Sequence, residues 1–131
     1  MPTNRHYRVT LADALSAHQR ALQTGGRDGI LNLHLIESAL ARPYSGYYRS
    51  IARKAAALVE SMATNHGFVD GNKRTTLILT DTLITRSGYE LVSVEGDIET
   101  ELEELILSVA AKLPFAPIAQ WFKDRLRKAQ E

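Results

Sequence analysis

The sequence predicts an all-α fold, a compact bundle of about six helices with one small β-hairpin, and three observations carry that reading. Apolar residues recur at intervals of three and four through most of the chain, the period of a helix with one face against a core. Cap and breaker residues such as Thr10, Gly25-Gly26, Gly88 and Asp97 bracket those runs. Of the 131 residues 44% are hydrophobic, 24% are charged and none is cysteine, so a single domain over 1–131 is expected to hold by packing alone.

Taken in order, Leu11, Leu15, His18 and Leu22 form the stripe of a first helix that begins after a Thr10 cap and stops at Gly25-Gly26. A short helix over about Leu33 to Ala41 ends before Pro43. PYSGYY, residues 43–48, mixes turn formers with three tyrosines and suits a small β-hairpin or a docking loop. In the third helix Ile51, Ala55, Leu58 and Met62 run beside Ala52, Ala56, Val59 and Ala63, and two apolar stripes predict a helix buried at the centre of the bundle. A fourth helix opens at Asn72, carries Leu77, Ile78, Leu79, Leu83 and Ile84, and ends at Gly88. After an extended YELVSV, Asp97 caps a helix with Ile98, Leu102, Leu105, Ile106, Val109 and Leu113 on one face. Pro117 then suits the first turn of a last helix bearing Ile118, Trp121, Phe122 and Leu126, with FKDRLRKAQE as its basic, amphipathic end.

Sixteen basic residues against 15 acidic ones leave a formal charge of +1, which argues against a general nucleic-acid binder with its dense basic face. No run reaches the roughly 18 apolar residues of a membrane span, and the start MPTNRHYRVT has no apolar stretch for a signal peptide, so a cytoplasmic protein is expected.

The chemistry concentrates in HGFVDGNKRTT, residues 66–76. Gly71 lets the backbone approach a phosphate closely, and the free amides of the helix start behind it form a donor-rich cradle for an anion. Lys73 supplies a mobile point charge and Arg74 a planar fork, two cations placed where they oppose the helix dipole and so call for a ligand. Asp70 can hold the magnesium ion that a nucleotide brings, since this cation keeps only one or two protein carboxylates. His66, with an unperturbed pKa of about 6.5, can accept the proton of an attacking hydroxyl. Together these are the parts of a nucleotide-dependent transferase.

The same run resembles the active-site signature of the Fic/Doc family, His-x-Phe-x-(Asp/Glu)-(Gly/Ala)-Asn-(Gly/Lys)-Arg, which His66, Phe68, Asp70, Gly71, Asn72, Lys73 and Arg74 match throughout. TxxDALxxH at Thr10 to His18, GGRDGILNLHLIESALARP at Gly25 to Pro43 and SGYEL after the motif extend the likeness over most of the chain. Lys73 and Leu77 stand where the Fic branch has a glycine and a second arginine, as in the Doc, or death-on-curing, branch. Gly67 replaces a common proline, a change expected to loosen the loop without removing a chemical group.

The resemblance implies the Fic/Doc fold, a general-base role for His66, ATP and Mg2+ as cofactors with Asp70 at the metal, and a nucleotide site at Gly71, Asn72, Lys73 and Arg74. It implies a toxin of a toxin–antitoxin pair, restrained by a cognate antitoxin protein, since no self-inhibiting (Ser/Thr)-x-x-x-Glu-(Gly/Asn) run is found. In the Doc branch the terminal phosphate of ATP moves to a threonine of elongation factor Tu and translation stops; in the Fic branch AMP is transferred. Lys73 occupies the place of bare backbone beside the α-phosphate, so the kinase outcome is favoured. The family's docking flap would fall on Tyr44, Tyr47 and Tyr48, which could equally decorate a turn.

Other residues read more plainly. Phe68 is an anchor that aims the loop, and His18 a core histidine with a partner. Thr75 and Thr76 are ordinary residues near a helix start. No spacing among the four histidines and the carboxylates makes a zinc site. A silent DNA-binding module that reads bases with Asn72, Lys73 and Arg74 is the reading from another class.

Overall fold

A computed structural model of the chain describes residues 5–130. The first four residues of the MPTNRHYRVT start and Glu131 at the end of FKDRLRKAQE lie outside the described residues. Six helices and two short strands follow one another: α1 (Leu11–Ala21), α2 (Leu33–Ala41), α3 (Ile51–Asn65), α4 (Asn72–Arg86), β1 (Tyr89–Leu91), α5 (Ile98–Ala110), α6 (Phe115–Arg125) and β2 (Leu126–Lys128). Short 3-10 turns follow α1 at Leu22–Thr24 and α2 at Arg42–Tyr44. The all-α expectation holds, and no helix among the described residues is long and apolar enough to cross a membrane.

Side chains set most of the helix starts. Thr10 and Asp13 form a reciprocal capping box at α1, and Asn32, Ser50 and Asp97 each accept a first-turn amide of α2, α3 and α5. Each such cap contributes about 1 kcal/mol. α3 packs against α2, α4, α5 and α6, and both of its apolar stripes are buried, Ala55 through Val59 completely. Its alanines admit close neighbours, while Leu58 and Met62 fill the space between them; burying one such large side chain is worth about 1.5–3 kcal/mol. In α1 the buried face is Ala14, Ala17, His18 and Ala21, whereas Leu15 stays 37% exposed. The small residues let α1 lie close to α4, which turns the face away from the predicted leucine stripe.

α4 carries five threonines in 15 residues. Thr76, Thr80 and Thr82 return their hydroxyls to the carbonyls of Asn72, Thr76 and Ile78, while Thr75 Oγ1 is buried without a partner among the described residues.

The β structure differs from the expected hairpin. The segment 43–48 contains no strand; it is the end of a 3-10 turn followed by irregular chain. The two-stranded sheet instead pairs β1 antiparallel with β2, Tyr89 opposite Lys128 and Leu91 opposite Leu126. FKDRLRKAQE is accordingly no helix end beyond Arg125. Arg125 turns inward to Glu101 at 2.9 Å, and Arg127 meets Glu90 across the strands at 2.5 Å. Strand pairing and these ions draw Leu126–Lys128 out of the helical period.

Candidate active site

α3 ends at Asn65, and His66 caps it in the left-handed region at φ 50°, ψ 55°, a conformation rare outside glycine. That turn throws the chain into the loop from His66 to Gly71, which is held chiefly through its backbone. The Gly67 carbonyl accepts the amides of Leu31 and Asn32, and the Val69 amide donates to Gly29. Phe68 is buried and stacks on His18 with ring centres 3.9 Å apart. Gly67 sits so close to Ile36 that a Cβ would lie 2.4 Å from its Cγ1. The loop is therefore pinned at the position where replacement of proline was expected to loosen it.

The Asp70 carbonyl lies 2.8 Å from His18 Nε2, and its carboxylate accepts the amides of Arg27 at 3.1 Å and Gly71 at 2.9 Å. The Arg27 amide first, then the Gly71 amide, hold this exposed carboxyl below the usual carboxylate range, against a small opposing effect of desolvation. Asp70 is thus ionised at neutral pH with its oxygens aimed. Gly71, at φ 77°, turns the chain into α4. No side chain caps that helix, and the amides of Asn72, Lys73 and Arg74 have no acceptor among the described residues.

The motif residues divide by role. His66, Asp70, Gly71, Asn72, Lys73 and Arg74 line one open groove of about 450 Å³. The side chains of His66 and Lys73 are exposed and make no hydrogen bond or ion pair among the described residues. Asn72 is committed elsewhere: its side-chain amide accepts the Phe68 N–H at 3.0 Å and donates to the Phe68 carbonyl at 2.9 Å, so it staples the loop. Arg74 reaches back to the Thr24 hydroxyl and, at 3.3 Å, to the Ala21 carbonyl. Its guanidinium closes the C-terminal end of α1, which explains its charge without a ligand.

The structure does not bring the tyrosines to this groove. Tyr44 donates to the Tyr7 carbonyl and accepts the Val9 amide, and the Tyr48 hydroxyl accepts from Arg42 Nε. Tyr47 is 81% exposed. All three precede α3 in the chain, and none of them lines the groove.

The segment beside the motif is instead Gly29–Leu31. Ile30 bridges Phe68 in antiparallel fashion, with the flanking bonds made by Gly29 and Leu31. In such a pair the amide and carbonyl of the central residue point outward. Those of Ile30 have no partner among the described residues, and the apolar side chains of Ile30, Leu31 and Val69 are exposed around them. Sequence reasoning assigned this run no role, although its GGRDG glycines were a signal. It also missed the far wall of the groove, Glu103, Ile106 and Leu107 of α5.

An open helix start, an aimed carboxylate and a free histidine thus meet in one groove of a helical domain, an arrangement able to take up an anion. The sequence matches the Fic/DOC family over residues 8–84, so the chain belongs to that family, whose members in general are nucleotide-dependent transferases. It is similar to the protein named Toxin Doc of Mycolicibacterium smegmatis, 35% identical over 105 residues that cover 76% of this chain and 78% of that one.

Proposed function

We propose that this protein is a Doc-type toxin that transfers the terminal phosphate of ATP to a serine or threonine hydroxyl of a protein, with elongation factor Tu as the target and arrest of translation as the result. The observation that carries the reading is that His66, Asp70, Lys73 and the uncapped start of α4 line one groove.

Those residues fit a magnesium nucleotide. The free amides of Asn72, Lys73 and Arg74 suit phosphate oxygens, and Lys73 adds a full charge to them. Among the described residues no three His, Asp or Glu side chains converge, so a cation on Asp70 would complete its shell with phosphate and water, as magnesium does. Bound nucleotide supplies the phosphoryl group and brings the metal. His66 takes the proton of the attacking hydroxyl, whose oxygen forms the new bond to phosphorus as the bond to the departing ADP oxygen breaks. The outward edge of Ile30 is suited to align the target chain by strand addition, in place of the tyrosines.

Lys73 projects into the groove where AMP transfer needs bare backbone, and Leu77 lines it where that branch has an arginine. Both support the kinase over the adenylyltransferase. The DNA-reading alternative finds no support, because α4 packs against α1, α3 and α5 and buries Thr75, Thr76, Leu79, Thr80, Leu83 and Ile84.

A translation extract incubated in parallel with ATP labelled at the α or the γ position tests the reading. Label from γ entering one protein, and lost with His66→Ala, is expected; label from α makes this an AMP transferase. A separate antitoxin is part of the proposal. Expression of the active chain without a neighbouring small protein should arrest growth, and harmless high-level expression refutes that part.

A further inference from the structure

We propose that His18 is a positioning residue, a latch that holds the Asp70–Gly71 peptide in the orientation the anion cradle requires; the proposal rests on reading that groove as a nucleotide site. His18 lies on α1, is 2% exposed and does not line the groove. A carbonyl oxygen only accepts, so the 2.8 Å contact to Asp70 requires the proton on His18 Nε2. Its ring stacks on Phe68 at an interplanar angle of 13°, and its Nδ1 lies 3.8 Å from Asp28, on the segment that pairs with the motif loop. One imidazole therefore touches the loop twice and lies beside the neighbouring segment.

What the bond secures is a peptide plane. Gly71, at φ 77° and with no Cβ, lets the preceding peptide turn over with little steric resistance. Turned over, the Asp70 carbonyl would leave α1 and face the groove that Gly71 lines, and the Gly71 amide would leave the Asp70 carboxylate. A carbonyl dipole directed at phosphate repels it, and a carboxylate without that amide is no longer aimed. No other donor reaches the Asp70 carbonyl among the described residues, so without the imidazole N–H the rotation is opposed by the Gly71 amide's bond to the Asp70 carboxylate alone.

The test compares His18→Gln, which keeps an N–H at similar reach but loses the ring, with His18→Leu, which fills the core but donates nothing. Magnesium–ATP binding is measured by titration calorimetry on protein shown by circular dichroism to be folded. The expected result is that His18→Gln stays within about threefold of wild type while His18→Leu loses about 10- to 100-fold, the usual effect of losing a group that orients a ligand-binding side chain. A folded His18→Leu with wild-type affinity, or a His18→Gln as weak as His18→Leu, overturns the latch. Should His18→Leu fail to fold, the His18→Gln affinity and the wild-type tautomer decide, because a 15N spectrum showing Nε2 without a proton excludes the bond. Should wild type bind no nucleotide, the groove reading fails on its own account, and the tautomer still decides the latch.

Discussion

The two ends of α3 are built in opposite ways. At the N-terminal end two of the three aromatic hydroxyls are taken up by the chain itself: Tyr44 joins Tyr7 and Val9, and Tyr48 meets Arg42. At the C-terminal end the loop is fixed by backbone bonds, the Phe68 anchor and the Asn72 staple, and the His66 and Lys73 side chains stay free. The difference teaches where chemistry can sit. An end closed by its own side chains is scaffold, however rich in aromatic and cationic residues, whereas one fixed through its backbone keeps reactive groups available and aimed.

The sharpest break of that contrast is His66→Ala. Transfer is expected to fall about 10²–10⁴-fold while circular dichroism and the unfolding midpoint stay put. A folded variant that keeps half the initial rate removes His66 as the base. Gly67→Ala attacks the fixed backbone itself: the new Cβ, 2.4 Å from Ile36, should destabilise the protein by about 1–3 kcal/mol in a urea titration. An unchanged midpoint would show that the loop does not depend on that contact. At the opposite end Tyr44→Phe strands the Val9 amide and should reduce stability by about 1 kcal/mol, with transfer per folded molecule unaltered; a loss of turnover instead would join the two ends functionally.

Asp70 gives a pH signature for the open end. Its folded pKa is lowered, so its contribution to stability is complete above the unfolded value of about 3.9 and disappears as pH falls through the lower folded value. Acid titration of Asp70→Asn should therefore show a shallower loss of stability below pH of about 4 than wild type; parallel curves would mean that the Arg27 and Gly71 amides do not hold the carboxylate. The smallest effect belongs to Tyr47→Ala, within about 0.5 kcal/mol in stability and silent in transfer. A drop in target modification would restore Tyr47 to a docking role.

Local signals made the helices legible. Thr10, Asp97 and the glycines after α1 and α4 act within a few residues of themselves, and the double stripe of α3 is a property of its own sequence. What escaped depends on distant partners. Tyr89–Leu91 acquires its strand from residues 35 to 39 positions onward, a relation no periodicity records. The composition of residues 43–48 suits a hairpin or a docking loop and carries no sign that the Tyr44 hydroxyl finds its partners, Tyr7 and Val9, across the fold. Gly29–Leu31 is extended only against Gly67 and Val69. The motif announced a site, but it could not reveal that Asn72 and Arg74 turn inward to Phe68 and to the end of α1.

The threonines of α4 tie the site to the stability of the whole molecule. β-branched residues lose side-chain freedom in a helix, and hydroxyls that bond back to its own carbonyls weaken it further, so the sequence of α4 favours the helix poorly on its own. Its helical start exists because α1, α3 and α5 enclose it. A chain that loosens loses the cradle along with the core, and a ligand that recognises the cradle recognises only the folded state. By mass action such a ligand, at a hundredfold its Kd, adds about 2.7 kcal/mol to the unfolding free energy. The resting protein should therefore melt at a lower temperature than the loaded one, and a thermal shift can rank candidate nucleotides before any target is known.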